Sequence, residues 1–510
     1  MLKINKEQIN GFWEAHKRFL NASLTTETPN SDTTNLSQLC QSNLNNAFDL
    51  FKKVELSAIK ALLTYSSEIN SLQQAVQNCI KSSNKIYIIG CGASARLAVL
   101  LRRLWDNYFP DAIGTIVSVS SAGDTSLIRS VEQFEDSAEF GIKQLQQQGF
   151  SKNDLLIGLS ASGESPFILA AIEYASSFSS TTPWLICNNS AEDILARNPH
   201  NVIINNKVKT LTLNVGEMAL TGSTRLQATT TMQIAVGFAL CLGSTNIESY
   251  INMLVSELSA IDLTQLAKIT RSESDIILNH EYILYQTNNN LLGLSMLADI
   301  TERSPTFNIT QFENYANNTA PKEHSPFYLS LIHAKSVNEA WLNLLGQAPF
   351  CLNWDDFPQT TTNYMNGFDL SNNSPRVHTK YLPKAQHNES WLIDKNKLSI
   401  NLLNHNCEFI LPQDNLSTTL VYKLLLNSHS TLMYGVLGYY QGNLMLSLTP
   451  SNFKLIDRAI RYSIFLLKNK HSIDMQYIDV ANILFDEMKK LQPNQSIVIN
   501  VINQALNIHK

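Results

Sequence analysis

Three short stretches of this chain combine glycine with clustered hydroxyls at the start of helix-like segments: GCGASAR at 90–96, SASGESP at 160–166 and TGSTR at 221–225. Glycine lets a backbone approach a ligand closely, and a helix N-terminus offers unpaired N–H groups with partial positive charge. Serine and threonine add hydroxyl donors. Together they suit a ligand with many oxygens, a phosphate plus sugar hydroxyls, and they call for no metal and no cofactor. Each has a plainer explanation when taken alone. A tight strand-to-helix turn favours glycine, and Ser165 or a hydroxyl of TGSTR could simply cap a helix. GCGASAR also permits the dinucleotide pattern G-x-G-x-x-G/A, with Ala95 in third place. The next strand, however, ends in Ser120 and Ser121, where that pattern wants a ribose-binding acid.

These loops need elements to position them. KIYIIG (85–90), TIVSVS (115–120), DLLIGLS (154–160) and PWLICN (183–188) are short β-rich apolar runs separated by helical segments such as FILAAIEYASSF. That alternation predicts a parallel sheet with helices on both faces, and ligands in such sheets sit at the carboxyl ends of strands. A long buried helix is expected from Leu220 to about Gly243. A second α/β unit begins near Asp262, with strands expected at YILYQ and APFCLNW and a helix at LLGLSMLADITER. It lacks the glycine-rich turns, so one ligand site is expected and not two. The stretch 359–390 reads as irregular, and the chain turns helical from about Thr418. The expected divisions are an N-terminal helical and extended segment at 1–65, a first unit at 66–260, a second at 261–415 and a helical cap at 416–510.

The chain has 510 residues, 44% of them hydrophobic and 16% charged, enough for two or three domains with buried cores. Its net charge of −5 comes from mixed acidic and basic residues, and no basic stripe marks a nucleic-acid partner. The opening MLKINKEQIN has no apolar signal core, and the longest apolar run, IAVGFALCLG, is shorter than the roughly 18 residues of a membrane span. Seven cysteines without CxxC spacing point to free thiols in a cytoplasmic protein. His333 has no metal-ligand partner at i+4.

GCGASAR, GLSASGESPF and LTGSTR, in this order, resemble the N-acetylmuramic acid 6-phosphate etherases and the glucokinase regulatory proteins, both built on SIS (sugar-isomerase) domains. LTTETPN (24–30), VEQFEDS (131–137), DITERSPTF (299–307) and SNFKLIDRA (451–459) resemble further segments of that family, so the likeness runs through most of the chain. It implies two SIS-type, flavodoxin-like αβα domains in tandem with helical N- and C-terminal segments. It also implies a sugar-phosphate site of Gly92, Ala93, Ser94, Ser160, Ser162, Gly163, Ser165, Ser223 and Lys454. In the etherases two glutamates eliminate the lactyl ether. One matches Glu135. The other, counted from GCGASAR, falls on Leu104, while the second unit carries Glu302 at the equivalent place. In a single-chain pseudo-dimer Glu302 could reach across and complete one composite site. Solvated surface roles are the plain alternative for Glu135, Glu302 and Lys454, and Asn452 could cap the helix that follows it.

The chain departs from the family pattern at Ala93 (Thr), Met218 (Glu) and Gln227 (Lys). Two functions follow. The first is a carbon–oxygen lyase acting on N-acetylmuramic acid 6-phosphate through Glu135 and Glu302. The second is a non-catalytic sensor of fructose 6-phosphate that regulates a sugar kinase. An aldose–ketose isomerase fits less well, because no His and Lys pair accompanies the loops.

Overall fold

A computed structural model describes residues 6–129, 131, 133–243, 245–316, 323–378, 382–492 and 495–508. The first five residues of the polar opening and residue 132 of the acidic segment lie outside the described residues. Five strands form the first sheet: β1 (Ile86–Gly90), β2 (Ile116–Ser120), β3 (Leu155–Leu159), β4 (Trp184–Cys187) and β5 (Lys209–Thr212). Their order is β2-β1-β3-β4-β5 and every pairing is parallel. Strands β1, β3 and β4 are buried along their whole length, which is why each reads as an unbroken apolar run. The edge strand β5, KTLT, buries only Leu211 and carries no such signal. The order reverses between β1 and β3, and their carboxyl ends open the crevice where a ligand would sit.

The long buried helix begins later than expected, at Gln227, and runs to Cys241 with every residue buried. TGSTR is therefore an irregular turn ahead of it. Thr229 and Thr231 satisfy their hydroxyls by donating to the carbonyls of Arg225 and Gln227, and Thr230 donates to the Glu55 carboxylate.

The second sheet is β6 (Tyr282–Thr287), β7 (Phe327–Leu331), β8 (Gln386–Asp394), β9 (Lys397–Leu402) and β10 (His405–Ile410), ordered β10-β9-β8-β6-β7. It is mixed. Strand β6 pairs parallel with β7 and β8, and the sheet continues antiparallel through β9 and β10. These last strands alternate buried and exposed positions, so no apolar run announces them.

The strand expected at APFCLNW does not form. Its backbone is engaged by the first unit instead: Phe350 N–H donates to the Asp124 carboxylate at 2.8 Å, and Asp124 N–H donates to the Phe350 carbonyl at 2.9 Å. Leu352, Trp354 and Phe357 then pack with Phe134 and Phe140 of the first unit. A side chain at Gly123, where φ is +74°, would meet the Phe350 carbonyl oxygen at 2.7 Å.

The C-terminal part is helical, as expected. The helix Asn415–Val436 runs through the middle of the molecule, packed against both Gln227–Cys241 and the second unit's Asn290–Phe307. Among the described residues no helix is long and apolar enough to cross a membrane. All seven cysteines are free.

Candidate functional site

A cavity of about 480 Å³ opens at the carboxyl ends of β1 and β3, and all three hydroxyl loops reach it. The first loop turns tightly. A Cβ at Gly90 would fall 2.5 Å from the Ser94 backbone, and Gly92 has φ +53°. The helix Ala93–Tyr108 starts at once, so its N-terminus, with Ala93 and Ser94, faces the cavity. In the second loop Ser160, Ser162 and Ser165 line the cavity. Ser165 precedes Pro166 but makes no side-chain cap, and its hydroxyl donates to the Glu135 carbonyl at 3.4 Å. A Cβ at Gly163, where φ is +73°, would fall 2.6 Å from Ile194, and Gly163 is not among the cavity-lining residues. An ion pair of Glu164 with Arg197 at 2.9 Å braces this loop from behind. In the third loop Ser223 lines the cavity with a buried hydroxyl that has no hydrogen-bond partner among the described residues.

Both glutamates face the same cavity. Glu135 sits in a turn, not a helix, with Asn452 donating to it at 3.2 Å and Lys454 paired with it as an ion pair at 3.6 Å. Asn452 caps the helix Phe453–His471 as well, accepting from Leu455 N–H at 3.0 Å. The cap and the site contact therefore coexist. Glu302 projects from the second unit's helix Asn290–Phe307 and forms an ion pair with Arg96 of the first unit. Arg96 is buried and also donates from Nε to the Leu127 carbonyl at 2.9 Å. Burial lowers the Arg96 pKa, and Glu302 works against that shift. Leu104 lies in the apolar core.

Sequence reasoning passed over the arginines. Arg458 grips Glu27 through two bonds of 2.8 and 2.7 Å, and a Cβ at Gly222 would touch its Nε at 2.5 Å. Thr26 accepts from Gly222 N–H at 3.0 Å, so the LTTE segment and SNFKLIDRA together brace the third loop. Their shared resemblance was the available signal. Arg225 leads inward from the cavity to Asp299 at 2.7 Å, and Asp299 joins Arg303 at 2.9 Å. Arg303 in turn joins Glu273 at 3.2 Å. Glu273, Glu389 and His429 are fully buried and close enough to hold a metal. Arg303 pairs with Glu273 at 3.2 Å, Trp391 donates to Glu389 Oε1 at 2.8 Å and Thr270 bonds His429 Nδ1 at 2.7 Å, while Glu389 Oε2 has no hydrogen-bond partner among the described residues. The departures are structural too. Met218 is in the core, and Gln227 accepts from Ala219 N–H at 2.8 Å and donates to Glu55 at 2.5 Å.

A parallel sheet in this order, with hydroxyl-rich helix starts around one crevice, defines a sugar-phosphate-binding protein of the SIS class, and residues 69–176 match the glucokinase regulatory protein N-terminal SIS domain. The N-acetylmuramic acid 6-phosphate etherase of Erwinia tasmaniensis is 29% identical over 248 residues, 47% of this chain and 76% of that protein. The etherase of Francisella tularensis subsp. novicida is 30% identical over 41% of this chain and 68% of that protein. That of Staphylococcus epidermidis is 26% identical over 54% and 90%. The chain belongs to the N-acetylmuramic acid 6-phosphate etherase family. Among solved structures, the C-terminal domain of glucosamine-fructose-6-phosphate aminotransferase from Francisella tularensis superposes with TM-score 0.41 at 11% identity, over 80% of this chain and 98% of that one.

Proposed function

We propose that the chain is an etherase that removes lactate from N-acetylmuramic acid 6-phosphate, using Glu135 and Glu302 in one composite site. The observation that carries this is the presence of both glutamates, one from each unit, on a single cavity. Elimination breaks the C2–H and C3–O bonds and forms a C2=C3 double bond. A base takes the C2 proton and an acid protonates the departing ether oxygen, so lactate leaves, and water adding at C3 completes the net hydrolysis. One glutamate serves as the base and the other as the acid; Glu302 is held in place by its ion pair with the buried Arg96. Glu135 is held by Asn452 and Lys454. Its neighbour Lys454, 30% exposed in its side chain, would bring a cation to the sugar phosphate. Ser94, Ser160, Ser162, Ser165 and Ser223 would hold the phosphate and ring hydroxyls, with the helix N-terminus at Ala93 supplying positive potential. Gly92 and Gly163 would shape the turns.

The test is release of D-lactate from N-acetylmuramic acid 6-phosphate by purified protein, beside Glu135→Gln. Lactate from the parent and not from the variant is expected. No lactate from either contradicts the reading.

A second reading is supported by the match of residues 69–176 to the regulatory-protein domain. On it, the protein senses fructose 6-phosphate and controls a sugar kinase. Unchanged activity of candidate kinases with protein and ligand present would exclude it.

A further inference from the structure

Among the described residues five cationic side chains line the cavity, and four of them already have a carboxylate partner. Arg96 pairs with Glu302, Arg225 with Asp299, Lys454 with Glu135 and Arg458 with Glu27. Arg129 has no ion pair among the described residues, although Glu323 lines the same cavity. Its guanidinium is steadied by the second unit: it donates to the Phe312 carbonyl and to the Tyr364 hydroxyl at 3.4 Å, and lies 5.5 Å from the Phe368 ring centroid. Its Nε–H is buried and has no partner among the described residues. Arg129 is half-buried, and a guanidinium partly withdrawn from water gains from an anion placed against it.

We propose that Arg129 is the specificity residue that receives a carboxylate on the substrate, beside the phosphate held by the serine loops; for the etherase reading, on which this rests, that carboxylate is the lactyl group. The placement fits the chemistry. Arg96 donates to the Leu127 carbonyl and pairs with Glu302, and Arg129, two residues beyond Leu127, lines the same cavity as both glutamates. The lactyl carboxylate is two bonds from the ether oxygen that must be protonated. It therefore enters close to two glutamates and needs a cation there to offset like-charge repulsion. A guanidinium binds a carboxylate through a planar fork, which an ammonium does not reproduce.

The test compares two sugars that differ only at C3: N-acetylmuramic acid 6-phosphate, and N-acetylglucosamine 6-phosphate, which lacks the lactyl ether. Binding is measured by calorimetry on the full chain in a Glu135→Gln background, which blocks turnover. A preference for the lactyl sugar is expected, and Arg129→Met should erase roughly ten- to a hundredfold of it while N-acetylglucosamine 6-phosphate binds within about twofold of before. Arg129→Lys should lose several-fold of the preference, and it decides the matter if Arg129→Met does not fold. Equal weakening of both sugars would make Arg129 a phosphate or ring contact and overturn the proposal, as would an unchanged preference in the variants. An Arg129-dependent preference in a protein whose parent form releases no lactate would overturn the etherase reading alone.

Discussion

Glu302 of the second unit and Arg96 of the first form an ion pair across the joint, with side chains 14% and 4% exposed. One contact thus docks two units and delivers a carboxylate to a cavity built mainly by the other unit. Arg96→Met leaves Glu302 in the site without its charge partner and removes a donor from the Leu127 carbonyl. It should destabilise the fold by roughly 3–5 kcal/mol and cut lactate release more than tenfold. Thermal unfolding and the lactate assay check the two effects separately.

Glu135 is held by its neighbour in sequence. Phe134 is buried against Phe140, Trp354 and Phe357, with ring centroids 4.8, 5.5 and 5.0 Å away. Phe134→Ala should cost about 3 kcal/mol and lower kcat for lactate release more than it weakens binding of N-acetylglucosamine 6-phosphate. A fall in stability with unchanged kcat would mean that the cluster only docks the units.

The buried carboxylates Glu273 and Glu389 are predicted to differ in protonation. Burial works to raise the Glu273 carboxyl, but His429 and Arg303 outweigh it and hold it below its ordinary value. Burial and the Glu273 charge push Glu389 well above its own. Glu389→Gln, which mimics a protonated carboxyl, should leave the melting temperature nearly unchanged. Glu273→Gln should lower stability by roughly 3–5 kcal/mol, because Arg303 and His429 lose their shared anion.

Lys423 donates to the Arg225 carbonyl behind the cavity. Burial, with Arg225 adding to it and Glu55, Asp299 and Glu302 opposing it, lowers its pKa from 10.5 to about 8. The native state then binds fewer protons than the unfolded one between about pH 8 and 10.5, so this group's contribution to stability rises with pH across that window and is flat below it. Lys423→Met removes the group. The parent should gain melting temperature relative to the variant from pH 8 towards pH 10, and parallel curves would contradict this.

Much of the first unit was legible because its chemistry is local. β1, β3 and β4 are buried on both faces and read as apolar runs, and each hydroxyl loop lies directly before a helix or within two residues of one. Gly163 shows the limit: its motif is a ligand loop, yet its own need is space beside Ile194. β5, β9 and β10 escaped because edge or half-buried strands carry no continuous apolar signal. APFCLNW carried a strand signal, but Asp124, more than two hundred residues earlier, takes its backbone bonds. The charge partners of Arg96, Arg225 and Arg458 are likewise distant in sequence, and no local pattern pairs them.

The central claim, that the second unit completes the first unit's site, is tested most directly at Glu302. Glu302→Gln should release D-lactate from N-acetylmuramic acid 6-phosphate at least roughly a hundredfold more slowly than the parent, while calorimetry shows N-acetylglucosamine 6-phosphate still bound. A Glu302→Gln protein that releases lactate at the parental rate would contradict the composite site.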